Sequence, residues 1–255
     1  MSSVIPDSAQ IGSETILGHF CVIGENVDIG SGCRIGHHVV IHDDTIIGHG
    51  CVIDDHSVVG KKPLKSRAMA IEPGADLPPL QLSDRVVVGT GAIVFRGSTV
   101  GTDSLIADLA SVREGSLIGS STIIGRGVAV ENRVRIGNSV KIEAGAFICA
   151  FSDIGDGCFV APEVTLTNDN FLGRTEERKQ NYTGTRIERG GRIGANATVL
   201  PGRTIAPEGL IAAGAVATRD VDGKQMVAGV PARPLGRVPT EQLLPGEESI
   251  SDSDQ

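Results

Sequence analysis

An aliphatic residue recurs at every sixth position along most of the chain. The series runs from Ile5 to Val59, resumes from Leu82 to Leu166, and returns from Ile187 to Ile211. Amphipathic helices do not show this period. A fixed period sustained over so many hexapeptides is typical of a solenoid, in which each repeat packs on its neighbours. The pattern therefore predicts an all-β chain wound as a parallel β-helix.

The positions beside each aliphatic residue fit the same geometry. The next residue is glycine in fourteen hexapeptides, Gly12 and Gly194 among them, which suits a corner with positive φ or close backbone approach. The fifth position is small or β-branched, and it holds four of the five cysteines: Cys21, Cys33, Cys51 and Cys158. These are expected to be reduced packing residues. Cys149 occupies a corner position and is the one candidate for a catalytic thiol.

Composition and charge restrict the class of protein. Aromatic residues make up 3% of the chain and Trp is absent, so the core must consist of small aliphatic side chains. No apolar stretch approaches the ~18 residues of a membrane span, and no secretory signal opens the chain. We therefore expect a cytoplasmic protein without membrane contact. The net charge of −8 argues against nucleic acid, while residues 171–237 carry eleven Lys and Arg against six Asp and Glu, which suits a phosphorylated small molecule.

The repeat resembles the hexapeptide-repeat acyltransferase superfamily, whose members are left-handed parallel β-helices. The resemblance covers the chain from Ile5 to about Arg237. It implies three hexapeptides per coil, about ten coils, a homotrimer, and active sites between subunits. We accordingly predict one domain over residues 1–237, followed by an acidic, disordered tail over 238–255.

Two interruptions of the repeat predict loop excursions. The first, about 65–81, contains several prolines and is interpreted as a surface loop. The second, about 168–186, begins at the polar cluster Asn168-Asp169-Asn170 and carries basic residues and the chain's one tyrosine. Because solenoids carry function on insertions, we predict that the second excursion is functional.

The string VAPEVTLTND, the second excursion and the later GGRIGANATVLPGRTIAPEGLIAAGAVATRDV resemble the branch that N-acylates nucleotide-linked amino sugars. This resemblance implies an N-acyltransferase, with acetyl-CoA or another acyl-CoA as co-substrate and no metal. Candidate cofactor-binding residues are Gly194, Ala195, Ala212, Ala213, Gly214, Arg219 and Lys224. Corner packing for the small residues and surface charge for the two cations are the alternatives.

The chemistry is predicted at the root of the second excursion. Asn168 is expected to orient the acceptor amine, and Asp169 to accept its hydrogen bond or proton. Residues eighteen apart should form one outward column, which joins Arg96, Glu114, Asn132, Ala150 and Asn168. The candidate substrate-binding residues are Glu114, Asn132, Asn170, Arg174, Arg178 and Tyr182.

Two observations limit the type of base. The segment LIADLASVREGSLIG resembles lipid A acyltransferases that use histidine as general base, but Glu114 occupies that position here, which makes O-acylation doubtful. The six histidines all lie between residues 19 and 56. From the hexapeptide of Ile35 to that of Leu166, six coils at ~4.8 Å each give a separation of about 30 Å. Any base must therefore be a carboxylate or the leaving thiolate.

Two alternatives to an acyltransferase remain open. The string IGHHVVIHDDTIIG resembles the metal-binding segment of γ-class carbonic anhydrases, with His37 and His42 at that family's spacing and no evident third ligand. A non-catalytic scaffold is the other alternative, since a solenoid can act purely as an interaction surface.

Overall fold

A computed structural model describes residues 3–69, 74 and 76–246 of the chain. In these residues the chain forms a three-sided parallel β-helix, in which successive strands lie in three different sheets. The sheets contain ten, twelve and ten strands, which confirms the predicted fold and its size of about ten coils.

Sheet 1 contains every third strand of the chain, beginning with the first. Its members are β1 (Gln10–Ile11), β4 (Asp28–Ile29), β7 (Ile46–Ile47), β10 (Gln81–Leu82), β13 (Thr99–Val100), β16 (Leu117–Ile118), β19 (Arg135–Ile136), β22 (Asp153–Ile154), β25 (Arg186–Ile187) and β28 (Thr204–Ile205).

Sheet 2 begins one strand later and ends in an antiparallel hairpin. Its members are β2 (Ile16–Leu17), β5 (Arg34–Ile35), β8 (Val52–Ile53), β11 (Val87–Val88), β14 (Leu105–Ile106), β17 (Ile123–Ile124), β20 (Lys141–Ile142), β23 (Phe159–Val160), β26 (Arg192–Ile193), β29 (Leu210–Ile211), β31 (Gln225–Ala228) and β32 (Arg233–Arg237).

Sheet 3 completes each coil. Its members are β3 (Val22–Ile23), β6 (Val40–Ile41), β9 (Val58–Lys61), β12 (Ile93–Phe95), β15 (Ser111–Val112), β18 (Ala129–Val130), β21 (Phe147–Ile148), β24 (Thr165–Leu166), β27 (Thr198–Val199) and β30 (Val216–Ala217). Two 3-10 helices, Glu177–Gln180 and Thr240–Gln242, complete the regular structure of the described residues.

The aliphatic series points into the helix and forms its core. In a typical strand the first residue faces outward and the second is buried, as for Arg135 and Ile136. Consecutive coils pair in register eighteen residues apart, for example Val112 with Val130. The earliest members, such as Ile5, are more exposed, because fewer coils pack against them. The buried stack of Ile, Leu and Val side chains supplies the apolar burial that stabilises the helix.

The glycine that follows the aliphatic residue is explained by close approach and not by positive φ. A Cβ on Gly119 would lie 2.5 Å from the backbone of Gly137, and one on Gly18 would lie 2.3 Å from Gly36 O. The positive φ angles occur two residues later in the corner, at positions such as His38, with φ of 56°. The approach of adjacent coils therefore explains thirteen of the fourteen glycines, and Gly60, with a φ of 76°, is the exception.

Two excursions interrupt the series of strands, both between a strand of sheet 3 and the next strand of sheet 1. The first leaves after Lys61 and rejoins at Gln81, and the second lies between Leu166 and Arg186. Across both, the strands resume pairing as if the extra residues were absent, since Ile46 pairs with Gln81 and Asp153 with Arg186. The excursions therefore add residues at one corner of the β-helix without changing the register of its strands.

The C-terminal segment packs further than predicted. Val238 is buried, and the Leu244 amide donates to Glu208 Oε1 at 3.0 Å. The ordered chain therefore continues beyond Arg237 to residue 246, and the predicted disorder of 247–255 lies outside the described residues. No helix in the described part of the chain is long and apolar enough to cross a membrane.

Candidate functional site

The corner that joins sheet 3 to sheet 1, called corner 3–1, differs in composition from the other two. Over five successive coils the residue after the core aliphatic is Phe95, Arg113, Glu131, Cys149 and Thr167, with no glycine among them. The next residue in each coil gives the predicted column from Arg96 to Asn168, and the strand register places it on this corner. Larger and polar side chains thus line one corner over about five coils.

Glu114 and Arg113 form a tight ion pair within this column. Arg113 Nε donates to Glu114 Oε2 at 2.8 Å and Nη2 donates to Oε1 at 3.1 Å. The Glu114 carboxylate is nearly inaccessible, at 5% exposure, and the paired carboxylate raises the pKa of Arg113. Both oxygens of Glu114 are therefore engaged by its neighbour, so its predicted contact with substrate would require the pair to open.

Glu131 lies one coil above this pair and was not predicted. Its Oε2 is 4.0 Å from Arg113 Nη1 and its side chain is 32% exposed. Desolvation raises the pKa of Glu131, the positive charge of Arg113 opposes this change, and the negative charge of Glu114 adds to it. Asn132, beside it in the column, is buried.

Asp169 organises the second excursion. Its Oδ1 accepts the Phe171 amide at 2.8 Å and its Oδ2 accepts the Gly173 amide at 2.9 Å. Arg178 Nη1 lies 3.4 Å from the same Oδ2. Desolvation works to raise the pKa of Asp169, but the two amides and Arg178 outweigh it and the net effect is a lowered pKa. Through these contacts the Asp169 carboxylate stabilises the loop. Its role as a proton acceptor stays a prediction.

The other predicted residues of this excursion are only partly brought together. Arg178 hydrogen-bonds to the Tyr182 hydroxyl, with its guanidinium 5.8 Å from the ring centroid. Asn168 Nδ2 approaches Ala150 O at 3.5 Å, which keeps its side chain against the column. Asn170 and Arg174 are exposed. Asn168, Asp169, Arg178 and Tyr182 therefore form one connected surface at the top of corner 3–1.

The predicted cofactor residues divide between two places. Gly194, Ala212 and Ala213 line a groove of about 250 Å³ on the outer face of sheet 2, together with Phe159 and Arg192. Ala195 and Gly214 occupy the same corner between sheets 2 and 3, called corner 2–3. Arg219 instead lines a separate cavity of about 200 Å³ beside the C-terminal hairpin, and Lys224 follows it in the turn before β31.

Arg192 is the residue in this groove that sequence analysis missed. Its Nη1 donates to Gln242 Oε1 at 3.1 Å, whereas Nε and Nη2 are buried with no hydrogen-bond partner among the described residues. Unpaired buried guanidinium nitrogens are costly and favour an anionic ligand. A Cβ on Gly194 would lie 2.4 Å from Ala213 N, so the small residues keep the coils in close contact. The guanidinium charge of Arg192 suits a phosphate-bearing ligand.

The histidines lie far below the Asn168 surface. His42 occupies corner 3–1 after β6, and six strand spacings of ~4.8 Å separate it from β24, about 29 Å. Desolvation lowers the pKa of His42; the charge of Asp43 opposes this, while Lys61, Lys62 and Arg96 add to it. His37 Nδ1 accepts the His19 amide at 2.9 Å. No group of three or more His, Cys, Asp and Glu side chains in the described chain is arranged to hold a metal ion.

The cysteines are all free and buried. Desolvation raises the pKa of Cys51 to about 11 and that of Cys158 to about 12. The pKa of Cys149 is also raised by desolvation, although Ser152 hydrogen-bonds to it. A buried thiol with a raised pKa is a weak nucleophile, so nothing in this environment activates Cys149.

Comparisons with known proteins agree with the fold. A family model described as "Bacterial transferase hexapeptide (six repeats)" matches residues 2–37 and 133–168. A UDP-N-acetylglucosamine acyltransferase from Arabidopsis superposes with a TM-score of 0.61 at 18% identity, covering 98% of this chain and 77% of that one. A second UDP-N-acetylglucosamine acyltransferase gives a TM-score of 0.59 at 19% identity, covering 91% of this chain and 71% of that one.

An N-acyltransferase from Bacillus cereus, in complex with dTDP-4-amino-4,6-dideoxyglucose and coenzyme A, gives a TM-score of 0.47 at 20% identity, covering 55% of this chain and 82% of that one. No curated protein sequence matches the chain. The matched hexapeptide repeats and the superpositions on the two UDP-N-acetylglucosamine acyltransferases agree with the three-sided parallel β-helix described above.

Proposed function

We propose that the protein is a homotrimeric, acyl-CoA-dependent N-acyltransferase that transfers an acyl group, acetyl in the simplest case, to the amino group of a nucleotide-linked amino sugar. The single observation that carries the proposal is the order of three features around the helix. An uncharged sheet face separates the polar corner 3–1 from the groove that contains Arg192.

The uncharged face is the outer surface of sheet 3. The outward residue of each strand from β3 to β30 is Val22, Val40, Val58, Ile93, Ser111, Ala129, Phe147, Thr165, Thr198 and Val216. The outward positions of sheets 1 and 2 include charged residues, such as Arg135 and Lys141. A continuous face without charge is typical of the core of a subunit interface, which supports association through sheet 3.

Three-fold packing of these faces would assemble complete sites. Sheet 3 is bordered by corner 2–3 on one edge and corner 3–1 on the other, at most about 20 Å apart for six extended residues. If sheet 3 of each subunit faces a common three-fold axis, each corner 3–1 lies beside the next subunit's corner 2–3. The groove at Phe159 and Arg192 lies at the height of β24, beside which Asn168 emerges.

Coenzyme A fits the groove on chemical grounds. Its phosphates suit the guanidinium charge of Arg192, and its pantetheine suits the apolar wall that Phe159 and Ile193 supply. A bound acyl-CoA would bring a thioester that an amine can attack once the two reactants are held together. The chain's own contribution is to orient them.

The acceptor is inferred from the polar corner. The second excursion supplies Arg174 and Arg178 for a nucleotide diphosphate and Tyr182 for stacking. Corner 3–1 offers carboxylates and amides, and its histidine, His42, lies four strand spacings below Glu131, about 19 Å. An amine that is partly neutral near pH 7–8 needs a weaker base than a hydroxyl does. These features favour an amino group over a sugar hydroxyl.

The test is a transfer assay with acetyl-CoA and a panel of UDP- and dTDP-linked amino sugars, with UDP-N-acetylglucosamine as the hydroxyl acceptor. Thiol release and product mass are measured. We expect acylation of at least one amino sugar, and for Arg192→Ala a rise in the acetyl-CoA KM of about tenfold or more. Arg186→Ala is the control, since Arg186 is exposed and paired with Glu188 on another corner.

Two outcomes would contradict the proposal. Acylation of the hydroxyl acceptor alone would show that the acceptor is wrong while the transferase activity stands. Failure to bind acetyl-CoA in calorimetry would contradict the proposed transferase and favour the non-catalytic scaffold.

A further inference from the structure

Of the three carboxylates along the polar part of corner 3–1, which are Glu114, Glu131 and Asp169, Glu131 has the least engaged oxygens. Its contact with Arg113 is long, at 4.0 Å, and no hydrogen bond of its side chain is formed with the described residues around it. By contrast, both oxygens of Glu114 are held by Arg113, and both oxygens of Asp169 accept loop amides. Of these three carboxylates, Glu131 is therefore the one that is free to accept a new hydrogen bond.

The ion-pair partner of Glu131, Arg113, is directed mainly at other groups. Arg113 is held from two sides, because its guanidinium pairs with Glu114 and lies 5.0 Å from the centroid of the Phe95 ring. This clamp keeps the cation directed mainly at Glu114 and only distantly at Glu131. The height of Glu131 on the corner also matters, since it directly follows β18, which lies one strand above β15 and two below β24.

The electrostatic consequence suits proton transfer. Desolvation raises the pKa of Glu131 above its usual value despite the nearby Arg113. A carboxylate is a better proton acceptor near neutral pH when its pKa is raised towards that pH. The lowered pKa of Asp169 has the opposite effect. Glu131 therefore has both the access and the basicity that Asp169 lacks.

We propose that the Glu131 carboxylate accepts the proton of the attacking amine in the acyl-transfer reaction, which rests on the function proposed above. The amine nitrogen bonds to the thioester carbonyl carbon, and the carbon–sulfur bond breaks. The N–H proton moves to Glu131 and then to the departing coenzyme A thiolate. The products are the amide and the free thiol, and Glu131 returns to its ionised form.

The test compares Glu131→Gln with a matched control, Glu188→Gln. Glu188 occupies the same position of its hexapeptide, is 30% exposed, and lies 3.2 Å from one arginine, Arg186. It is on the corner between sheets 1 and 2, which contains neither candidate site. We expect Glu131→Gln to lower kcat by about 10²-fold or more with an unchanged acetyl-CoA Kd, and Glu188→Gln to keep the wild-type kcat.

The pH dependence separates catalysis from structure. In the wild-type protein kcat should fall as the pH drops through the raised pKa of Glu131, because the protonated acid cannot accept a proton. Glu131→Gln should lose this limb, and Glu131→Asp should keep it at a reduced rate. Both variants are first checked for wild-type oligomeric state and thermal midpoint, and Glu131→Asp serves as the test if the glutamine variant does not fold.

The outcomes are distinguishable. An active wild type with a Glu131→Gln variant within about twofold of it overturns the role of Glu131 alone, since loss of a general base costs far more. A wild-type protein that transfers no acyl group to any amine overturns this role and the proposed function together.

Discussion

Removing the Glu114 carboxylate should destabilise the helix more than removing any exposed acidic residue. Glu114→Ala leaves Arg113, whose side chain is 25% exposed, without its bidentate partner. Breaking a buried ion pair from one side costs about 3–5 kcal/mol. Arg113 is partly hydrated and Glu131 lies 4.0 Å away as a substitute partner, so we expect a smaller loss than for a fully buried pair, about 2–3 kcal/mol.

The assay is urea denaturation followed by circular dichroism, with the midpoint and slope measured for each variant. The matched control is Glu188→Ala, which breaks the Arg186 pair, where the side chains are 64% and 30% exposed. Exposed pairs contribute at most about 1 kcal/mol. Equal losses for the two variants, with unchanged slopes, would refute the assignment of Glu114 as a buried structural partner of Arg113.

Three further predictions concern other parts of the molecule. Gly119→Ala should cost about 1–3 kcal/mol in the same urea assay, because its Cβ would lie 2.5 Å from the Gly137 backbone; a loss below about 0.5 kcal/mol would contradict the close-approach explanation. The pKa of Asp169 is lowered in the folded protein. The stabilisation that ionised Asp169 gives to the second excursion should therefore be fully present above the unfolded pKa of about 3.9, and it should be lost as the pH falls through the lowered pKa. Amide exchange of residues 167–185 should therefore accelerate in acid, and an equally steep acceleration in Asp169→Asn would exclude this cause. Because the pKa values of Cys51 and Cys158 are raised to about 11 and about 12, native protein at pH 8 should react slowly with a thiol reagent; rapid labelling before unfolding would contradict the buried assignment.

The fold could be predicted from the sequence because it depends on a short local period. Every coil repeats the same three requirements, which are an aliphatic residue inward, a small residue beside it, and a corner that lets adjacent coils approach. Ile136 and Gly137 meet the first and third requirements. The eighteen-residue register follows directly, and with it the column that contains Glu114, Asn132 and Asn168.

The candidate site was only partly predictable, because its residues act through contacts that no spacing encodes. The column was correct, but the sequence does not show that Arg113 occupies both oxygens of Glu114 or that loop amides occupy those of Asp169. Arg192 was missed because an outward arginine on a strand resembles any solvated charge until its surroundings bury two of its nitrogens.

A signal for Glu131 was nevertheless present in the sequence. Sorting the hexapeptides by side of the helix shows that the position after the aliphatic residue is never glycine from Phe95 to Thr167 on corner 3–1. On the other two corners the same position is often glycine, as at Gly125 and Gly137. The absence of the small residue that close packing of the coils requires indicates that this corner has another role.

The central claim is that each site combines corner 3–1 of one subunit with the groove of the next, and co-expression of Glu131→Gln with Arg192→Ala tests it directly. Each variant alone should be nearly inactive at low acetyl-CoA concentration. In randomly mixed trimers about a quarter of the composite sites would combine an intact Glu131 with an intact Arg192 from the neighbouring chain. Recovery of about a quarter of the wild-type activity is the predicted result, and mixed trimers no more active than their parents would contradict the claim.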